Sequence, residues 1–198
     1  MAEDLRSAEV HRKTNETEIF MNLEIDGNGN YQVDTEIPFL GHMLALFSMH
    51  SLCNLKVWAR GDNQVDDHHT VEDIGICLGR AIVDSLGDKR GINRYGSAII
   101  PMDEALVRVV LDFSGRPYLD FNAEMPAQTV GNFATELVEE FFRGVVNQAG
   151  MNLHIDVLKG TNTHHIIEGI FKAFARAFRE ASTFEPKMEG VWSTKGKL

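Results

Sequence analysis

The chain has 198 residues, of which 43% are hydrophobic and 24% charged, and its formal net charge is −10 at pH 7. This is ordinary globular composition, which argues against intrinsic disorder. The negative charge argues against a nucleic-acid partner, because nucleic-acid phosphates would repel the chain. The length suits one compact domain, and we expect a single domain over residues 1–198.

We expect neither a signal peptide nor a membrane segment. The N-terminal segment MAEDLRSAEVHRKTNETE lacks the apolar region of a signal peptide. Residues 37–55 lack Asp, Glu, Lys and Arg, but a proline, a glycine and several polar residues interrupt them, which favours a buried amphipathic helix. The two cysteines, Cys53 and Cys77, form no C-x-x-C pattern and predict reduced thiols in a cytoplasmic protein.

The first half of the chain predicts two strands, a helix, a third strand and a second helix. Alternating residues on both sides of the GNGN run at 27–30 indicate a β-hairpin. FLGHMLALFSMH then has helical spacing, and NLKVWARGD returns to strand alternation. TVEDIGICLGRAIVDSLGD predicts an amphipathic helix that ends at Gly87.

The second half predicts the same elements in the same order. EALVRVVLDFSGRPYLDFNAE indicates a strand pair that turns at Ser114 and Gly115. FATELVEEFFRGVVNQAG indicates a helix that ends at Gly150, and NLHIDVLKG indicates a strand. HHIIEGIFKAFARAFREA predicts a last helix with an aromatic stripe.

Equal spacings relate the two halves. The equal spacings are those from Glu16 to Gly27 and from Glu104 to Gly115, and those from His42 to Leu55 and from Glu140 to Leu153. We therefore predict a duplicated β-β-α-β-α unit, at about 10–92 and about 93–184, followed by a C-terminal tail at 185–198. Because each sheet has one apolar face and each helix one apolar stripe, we expect an α/β (α+β) fold with helices packed against mixed sheets.

Two histidine pairs, in DDHHTVED and THHIIEG, occupy matched places in the two units. Residues four apart share one face of a helix, whereas neighbouring residues point about 100° apart. His68 and Glu72 can therefore face one metal ion, while His69 is free to reach another. The second motif repeats this arrangement with His164, Glu168 and His165.

Two further donors, His42 and Glu140, lie at equivalent positions on the preceding helices. The candidate metal ligands are His42, His68, His69, Glu72, Glu140, His164, His165 and Glu168. Shared between two six-coordinate ions, they would leave about two positions on each ion for substrate or water. Imidazole and carboxylate donors without thiolate suit manganese, iron, cobalt or nickel at least as well as zinc, and argue against a structural zinc site.

A plainer interpretation of each motif is a capped helix start. Thr70 or Thr163 would be the cap, and the helix dipole would favour the nearby acidic residues. A single motif would leave that interpretation open. Its repetition at matched places of a duplicated unit favours metal binding.

Long and specific segments of the chain resemble one known enzyme family. They include PFLGHML, DDHHTVEDIGICLG, DKRGINRYG, PMDEALVRVVLDFSGRPYLDFN and NTHHIIEGIFKAFARAFREA. Over nearly its whole length the sequence is similar to imidazoleglycerol-phosphate dehydratase. This resemblance implies a lyase that dehydrates D-erythro-imidazoleglycerol phosphate to imidazole acetol phosphate in histidine biosynthesis. It also implies a fold like the second domain of ribosomal protein S5, two Mn²⁺ ions per active site, and twenty-four-subunit homo-oligomers with sites between subunits.

The resemblance also implies roles for individual residues. The eight donors would be the metal ligands. Glu16 resembles the substrate-contacting acid and is the candidate acid/base, although a metal-bound carboxylate, Glu72 or Glu168, would serve as well. The plainer interpretation of Glu16 is a solvated residue before a strand. The phosphate-binding group would be Arg94, Arg116, Ser193 and Lys195.

Two positions depart from the family pattern. Many members carry His where this chain has Glu140, which would give one ion an additional carboxylate oxygen. Many carry Asp where this chain has Gly41, so the carboxylate expected behind His42 is missing. Two other functions use the same donors, a metal-binding assembly without turnover and a dinuclear hydrolase. The arginines and Lys195 favour a phosphorylated substrate over the first, and no residue excludes the second.

Overall fold

The computed structural model describes residues 6–196, which form four helices, two four-stranded mixed sheets and a small two-stranded sheet. The first half contains β1 (Ser7–Lys13), β2 (Thr17–Glu24), β3 (Tyr31–Thr35), α1 (Pro38–Ser51), β4 (Asn54–Gly61) and α2 (His68–Leu86). The second half contains β5 (Tyr95–Met102), β6 (Ala105–Asp112), β7 (Tyr118–Asn122), β8 (Thr129–Val130), β9 (Phe133–Ala134), α3 (Leu137–Ala149), β10 (Asn152–Lys159) and α4 (Thr163–Ser182). The predicted α/β fold with helices against mixed sheets is confirmed.

The two large sheets have the same strand order, β1-β2-β4-β3 and β5-β6-β10-β7. The two predicted hairpins are wrong, because β4 lies between β2 and β3, and β10 lies between β6 and β7. The loop after β2 instead passes the start of β4. There Oδ1 of Asn54 accepts the backbone N–H groups of Asn28 and Asn30, each at 3.0 Å.

The edge strands β1 and β5 were not predicted, and they extend the first half to β-β-β-α-β-α; the second half has the same order with the short strands β8 and β9 inserted before α3. Both strands alternate mainly between half-buried and exposed residues, so they lack the strong apolar alternation of a central strand. Each pairs antiparallel with the next strand of the chain. Consequently Glu16 and Glu104 occupy the same place in the two halves, one residue before β2 and β6.

The helices of one half pack on the helices of the other. α2 and α3 approach so closely that a Cβ atom on Gly75 would lie 2.3 Å from the carbonyl oxygen of Phe141. α1 meets α4 through the stacked rings of Phe47 and Phe174, whose centroids are 5.5 Å apart. The core therefore runs between both sheets and all four helices, and it brings helix ends from the two halves together.

The segment at 37–55 forms α1 and the start of β4. No helix within residues 6–196 is both long enough and apolar enough to span a bilayer. Cys53 and Cys77 are buried free thiols, and burial raises the pKa of each to about 12. Neither thiol is therefore ionised near neutral pH.

Candidate metal centre and phosphate pocket

Three candidate metal ligands from both halves of the chain converge where α1 meets the start of α4. Oε2 of Glu168 lies 3.3 Å from Nε2 of His164 and 3.8 Å from Nε2 of His42. One donor atom from each of the three lies within 4.8 Å of the other two. The Asn162 side chain caps α4 by accepting the backbone N–H groups of His164 and His165, which fixes the turn that carries the donors. Asn162, and not Thr163, is therefore the cap.

Lys172 was not predicted as a site residue, but it contacts the buried Glu168. Its Nζ donates to Oε1 of Glu168, which leaves Oε2 facing the two histidines. Burial raises the pKa of Glu168, but the hydrogen bond and charge of Lys172 outweigh this effect, so the pKa is lowered. The Glu168–Lys172 spacing was visible in the sequence. However, such pairs four residues apart are common on helix surfaces and do not indicate a site by themselves.

The donors that correspond to these three in the duplicated unit are His68 and Glu72 on α2 and Glu140 on α3. They do not converge as closely. Nε2 of His68 lies 3.9 Å from Oε2 of Glu72. Glu140 lies on α3, which packs closely on α2, and its Oε2 is 3.5 Å from Nε of Arg143. Within residues 6–196, Glu140 joins no group of three donors that lie within 4.8 Å of one another. His68 also lines a cavity of about 870 Å³, and His42 lines the same cavity.

The two rings of each histidine pair are nearly perpendicular to each other. The ring planes of His68 and His69 make an angle of 80°, and those of His164 and His165 make the same angle. In both pairs the ring centroids are 6.2 Å apart. The structure therefore brings together His42, His164 and Glu168, pairs His68 with Glu72, and leaves Glu140 and the two outward histidines, His69 and His165, outside both groups.

Each outward histidine has a carboxylate at Nδ1. Nδ1 of His69 is 3.1 Å from Oδ2 of Asp62 and 3.8 Å from Oε2 of Glu16. Nδ1 of His165 is 2.7 Å from Oε2 of Glu104. These hydrogen bonds raise the pKa of both histidines, and the bond from His165 lowers the pKa of Glu104 to about 2. Asp62 and Glu104 were not predicted as site residues.

Glu16 lies next to the outward histidine of the first half. Its side chain is 55% exposed, and together with His69 and Glu72 it lines a cavity of about 150 Å³. Three of the residues predicted for catalysis or metal binding therefore share this small cavity. Glu168, the third candidate catalytic carboxylate, lies instead in the cluster with His42 and His164.

The four candidate phosphate ligands line one cavity of about 640 Å³: Arg94, Arg116, Ser193 and Lys195. The buried Arg94 donates from Nε and Nη2 to Asp112, at 2.6 and 3.0 Å, and from Nη1 to the carbonyl oxygen of Trp192. Arg94 thereby holds the C-terminal segment against the cavity. Arg116 is exposed at the cavity, so its guanidinium group is accessible to a ligand.

Comparison with known proteins decides the family. The family model described as imidazoleglycerol-phosphate dehydratase matches residues 35–178. A relative from Syntrophomonas wolfei with that name is 65% identical over 193 residues, which are 98% of each chain. The chain belongs to the imidazoleglycerol-phosphate dehydratase family. It is therefore an enzyme, a dehydratase of the lyase class.

Other members of the imidazoleglycerol-phosphate dehydratase family agree in length and in fold. The Bacillus subtilis protein is 55% identical over 98% of this chain and 100% of its own. The crystal structure of the Staphylococcus aureus enzyme matches with a TM-score of 0.83 at 46% identity, over 90% of this chain and 99% of that one. The Pyrococcus furiosus structure, a complex with (S)-C348, matches with a TM-score of 0.83 at 35% identity, over 96% and 100%.

The donor set fits a divalent metal ion. The cluster of His42, His164 and Glu168 offers two imidazole nitrogens and a carboxylate oxygen, which suit manganese and its neighbours in the first transition row. The two thiols are buried with a raised pKa and do not compete as ligands.

Proposed function

We propose that this enzyme dehydrates D-erythro-imidazoleglycerol phosphate to imidazole acetol phosphate and water, in the biosynthesis of histidine. The observation that carries the proposal is the convergence of His42, His164 and Glu168 from the two halves of the chain. The name shared by the relatives supports the substrate. A separate cavity lined by two arginines, a serine and a lysine supports a substrate that carries a phosphate group.

The proposal includes two Mn²⁺ ions per active site. Their ligands would be His42, His68, His69, Glu72, Glu140, His164, His165 and Glu168. When bound, the ions would lower the pKa of the substrate's imidazole ring and stabilise the negative charge that develops on it. Glu140 would contribute a carboxylate oxygen, which manganese accepts as readily as an imidazole nitrogen.

Glu16 is the proposed acid/base. Dehydration removes a hydroxyl group from one carbon and a proton from the next, and the resulting enol becomes the ketone. A half-exposed carboxylate in a small cavity is suited to take that proton. Because Asp62 holds the ring of His69, the carboxylate of Glu16 is left to face a substrate. Glu72 and Glu168 are the alternative bases.

The phosphate group would bind Arg116, Ser193 and Lys195 at the cavity that Arg94 also lines. Arg116 suits this role because its guanidinium group is exposed and can bind phosphate through two parallel hydrogen bonds. Arg94 already donates to Asp112 and Trp192, so most of its contribution would be to position the segment that carries Ser193 and Lys195.

The proposed active site requires more than one chain. Within residues 6–196, neither His69 nor His165 joins a group of three close donors that contains the first histidine of its pair, so each would serve an ion held by a neighbouring subunit. The family resemblance extends this to homo-oligomers of twenty-four subunits. The buried thiols support a cytoplasmic enzyme, because they suit a reducing compartment.

The test is an assay of the purified protein with imidazoleglycerol phosphate and Mn²⁺, in which the ketone product and inorganic phosphate are measured in parallel. We expect ketone without phosphate release. Release of phosphate would identify a dinuclear hydrolase instead. Bound metal with neither product would identify a metal-binding assembly without turnover.

A further inference from the structure

We infer that Glu104 and Asp62 are positioning residues, which hold Nδ1 of His165 and of His69 so that Nε2 of each ring is the atom that binds metal. The inference rests on the proposed function, because it concerns how two of the proposed ligands are prepared for metal. It goes beyond that function in assigning roles to two carboxylates that are not themselves among the eight donors.

In the second half, both oxygens of Glu104 have partners. Oε2 lies 2.7 Å from Nδ1 of His165. Oε1 accepts the backbone N–H groups of Asn162 at 2.7 Å and Thr161 at 3.2 Å, in the loop that leads into α4. The loop therefore fixes the carboxylate, and the carboxylate fixes the imidazole. A carboxylate at Nδ1 keeps the proton on that nitrogen and leaves the lone pair of the neutral ring on Nε2.

In the first half, a different residue takes this position. Glu16 is the counterpart of Glu104, but at 3.8 Å from Nδ1 of His69 it is too far for a hydrogen bond. Asp62, which follows β4, supplies the carboxylate instead, with oxygens 3.1 and 3.2 Å from Nδ1. The two halves therefore reach the same arrangement by different residues.

This substitution of roles accounts for a difference between two matched glutamates. Glu104 is committed to His165 and to the loop before α4. In the first half Asp62, and not Glu16, contacts Nδ1 of the histidine. Glu16 therefore remains half exposed at its cavity, where it can act on a substrate. The duplication thus gives one glutamate that positions a ligand and one that is available for chemistry.

The competing interpretation is that Glu104 only closes the loop before α4. Glu104→Gln separates the two roles, because the side chain keeps its shape. The amide oxygen stays with the N–H groups of Asn162 and Thr161, and the amide NH₂ group replaces Oε2. That NH₂ group donates to Nδ1 of His165, so the ring proton moves to Nε2 and the metal-binding lone pair is lost.

Asp62→Asn is a milder change. Both oxygens of Asp62 lie within hydrogen-bond distance of Nδ1, so the remaining amide oxygen can face His69 after a half-turn of the amide. Within residues 6–196, no other donor holds either oxygen and opposes that turn. Asp62→Ala removes the acceptor completely. The order of the expected effects on Mn²⁺ binding is therefore set by hydrogen-bond geometry and not by loss of charge alone.

The experiment measures Mn²⁺ binding to the metal-stripped full-length protein, with free Mn²⁺ followed by electron paramagnetic resonance, and records thermal unfolding without metal. We expect Glu104→Gln to weaken half of the bound Mn²⁺ by about 10–100-fold, with an unchanged metal-free melting temperature. Asp62→Ala should weaken the other half to a similar extent, and Asp62→Asn should have a smaller effect than either. The control is Glu180→Gln. Like Glu104, Glu180 accepts a backbone N–H group, that of Ser97 at 2.7 Å, but it is not a partner of His165 or His69.

Parent-like binding by both Glu104→Gln and Asp62→Ala would overturn the inference and leave the proposed function standing. A parent protein that binds no Mn²⁺ would overturn both together. Asp62→Ala tests the inference independently if Glu104→Gln lowers the metal-free melting temperature. In that case an unaltered Mn²⁺ affinity in Asp62→Ala overturns it.

Discussion

Nε2 of His42 in the first half of the chain lies 3.8 Å from Oε2 of Glu168 in the second. Their separation in the sequence is bridged by the packing of α1 on α4, in which Phe47 stacks on Phe174. The donor cluster is therefore a product of the shared core and not of either half alone. This relationship ties the fold to the proposed metal site.

Removal of metal should abolish dehydratase activity, and added Mn²⁺ should restore it. The reason is that His42, His164 and Glu168 offer nitrogen and oxygen donors within 4.8 Å of one another. Activity is measured after exhaustive chelation, and again after Mn²⁺ or Mg²⁺ is added. Full activity in protein shown to contain no metal would contradict the prediction.

Arg116→Ala should lower kcat/KM by an amount equivalent to about 2–3 kcal/mol, because a charge-assisted contact with phosphate would be lost. Most of the change should appear in KM if the contact is equally strong in the ground state and the transition state. Arg108→Ala is the matched control, since Arg108 is an exposed arginine that pairs with Asp156. Kinetics of Arg116→Ala within twofold of the parent would show that Arg116 does not bind substrate.

Lys172→Met should lower the stability of the metal-free protein by about 1–3 kcal/mol. Only 10% of the Glu168 side chain is exposed, so loss of Lys172 leaves a nearly buried carboxylate without its cation. Calorimetry of the metal-free protein measures the effect. The control is Arg80→Met, because Arg80 forms an exposed pair with Asp84 at the same helical spacing. Equal effects of the two substitutions would contradict a role for Lys172 at the site.

Several features of the site were predicted because they depend on local periodicity. The four-residue spacings from His68 to Glu72 and from His164 to Glu168 are set by the helix itself, and so is the divergence of neighbouring histidines. The helix ends at Gly87 and Gly150 were also predicted, because a glycine after the last periodic residue is a local stop signal.

Features that depend on distant contacts were not predicted. Alternation identifies a strand but not its neighbour, so the insertion of β4 between β2 and β3 had no local signal. Glu104 meets His165 across 61 positions of sequence, and no spacing rule relates the two. Asp62 is only seven positions from His69, but it lies in a loop that has no regular period.

The ion pair of Arg6 with Asp26 should stabilise the metal-free protein only above acidic pH. The hydrogen bond from Arg6 lowers the pKa of Asp26, so the pair's contribution is present above the unfolded value, about 3.9, and disappears as the pH falls through the lower folded value. Asp26 is 37% exposed, so solvent limits the effect to less than about 1 kcal/mol. Asp26→Asn should therefore be less stable than the parent in thermal unfolding at pH 7, and the difference should shrink as the pH falls below about 4. A difference that does not shrink with falling pH would contradict this assignment.

Metal removal should also reduce the size of the proposed homo-oligomer. Among the described residues, His69 and His165 lie outside the close donor groups that contain His68 or His164, so ions that they bind would link neighbouring subunits. Metal that binds only the associated state stabilises it by mass action. Protons oppose this linkage, because the ligands bind metal as neutral imidazoles and ionised carboxylates. Light scattering should therefore detect smaller species after chelation, and also below about pH 6, near the ordinary pKa of histidine. A particle of unchanged size in metal-free protein at about pH 5.5 would show that the subunit interfaces are stable without the ions.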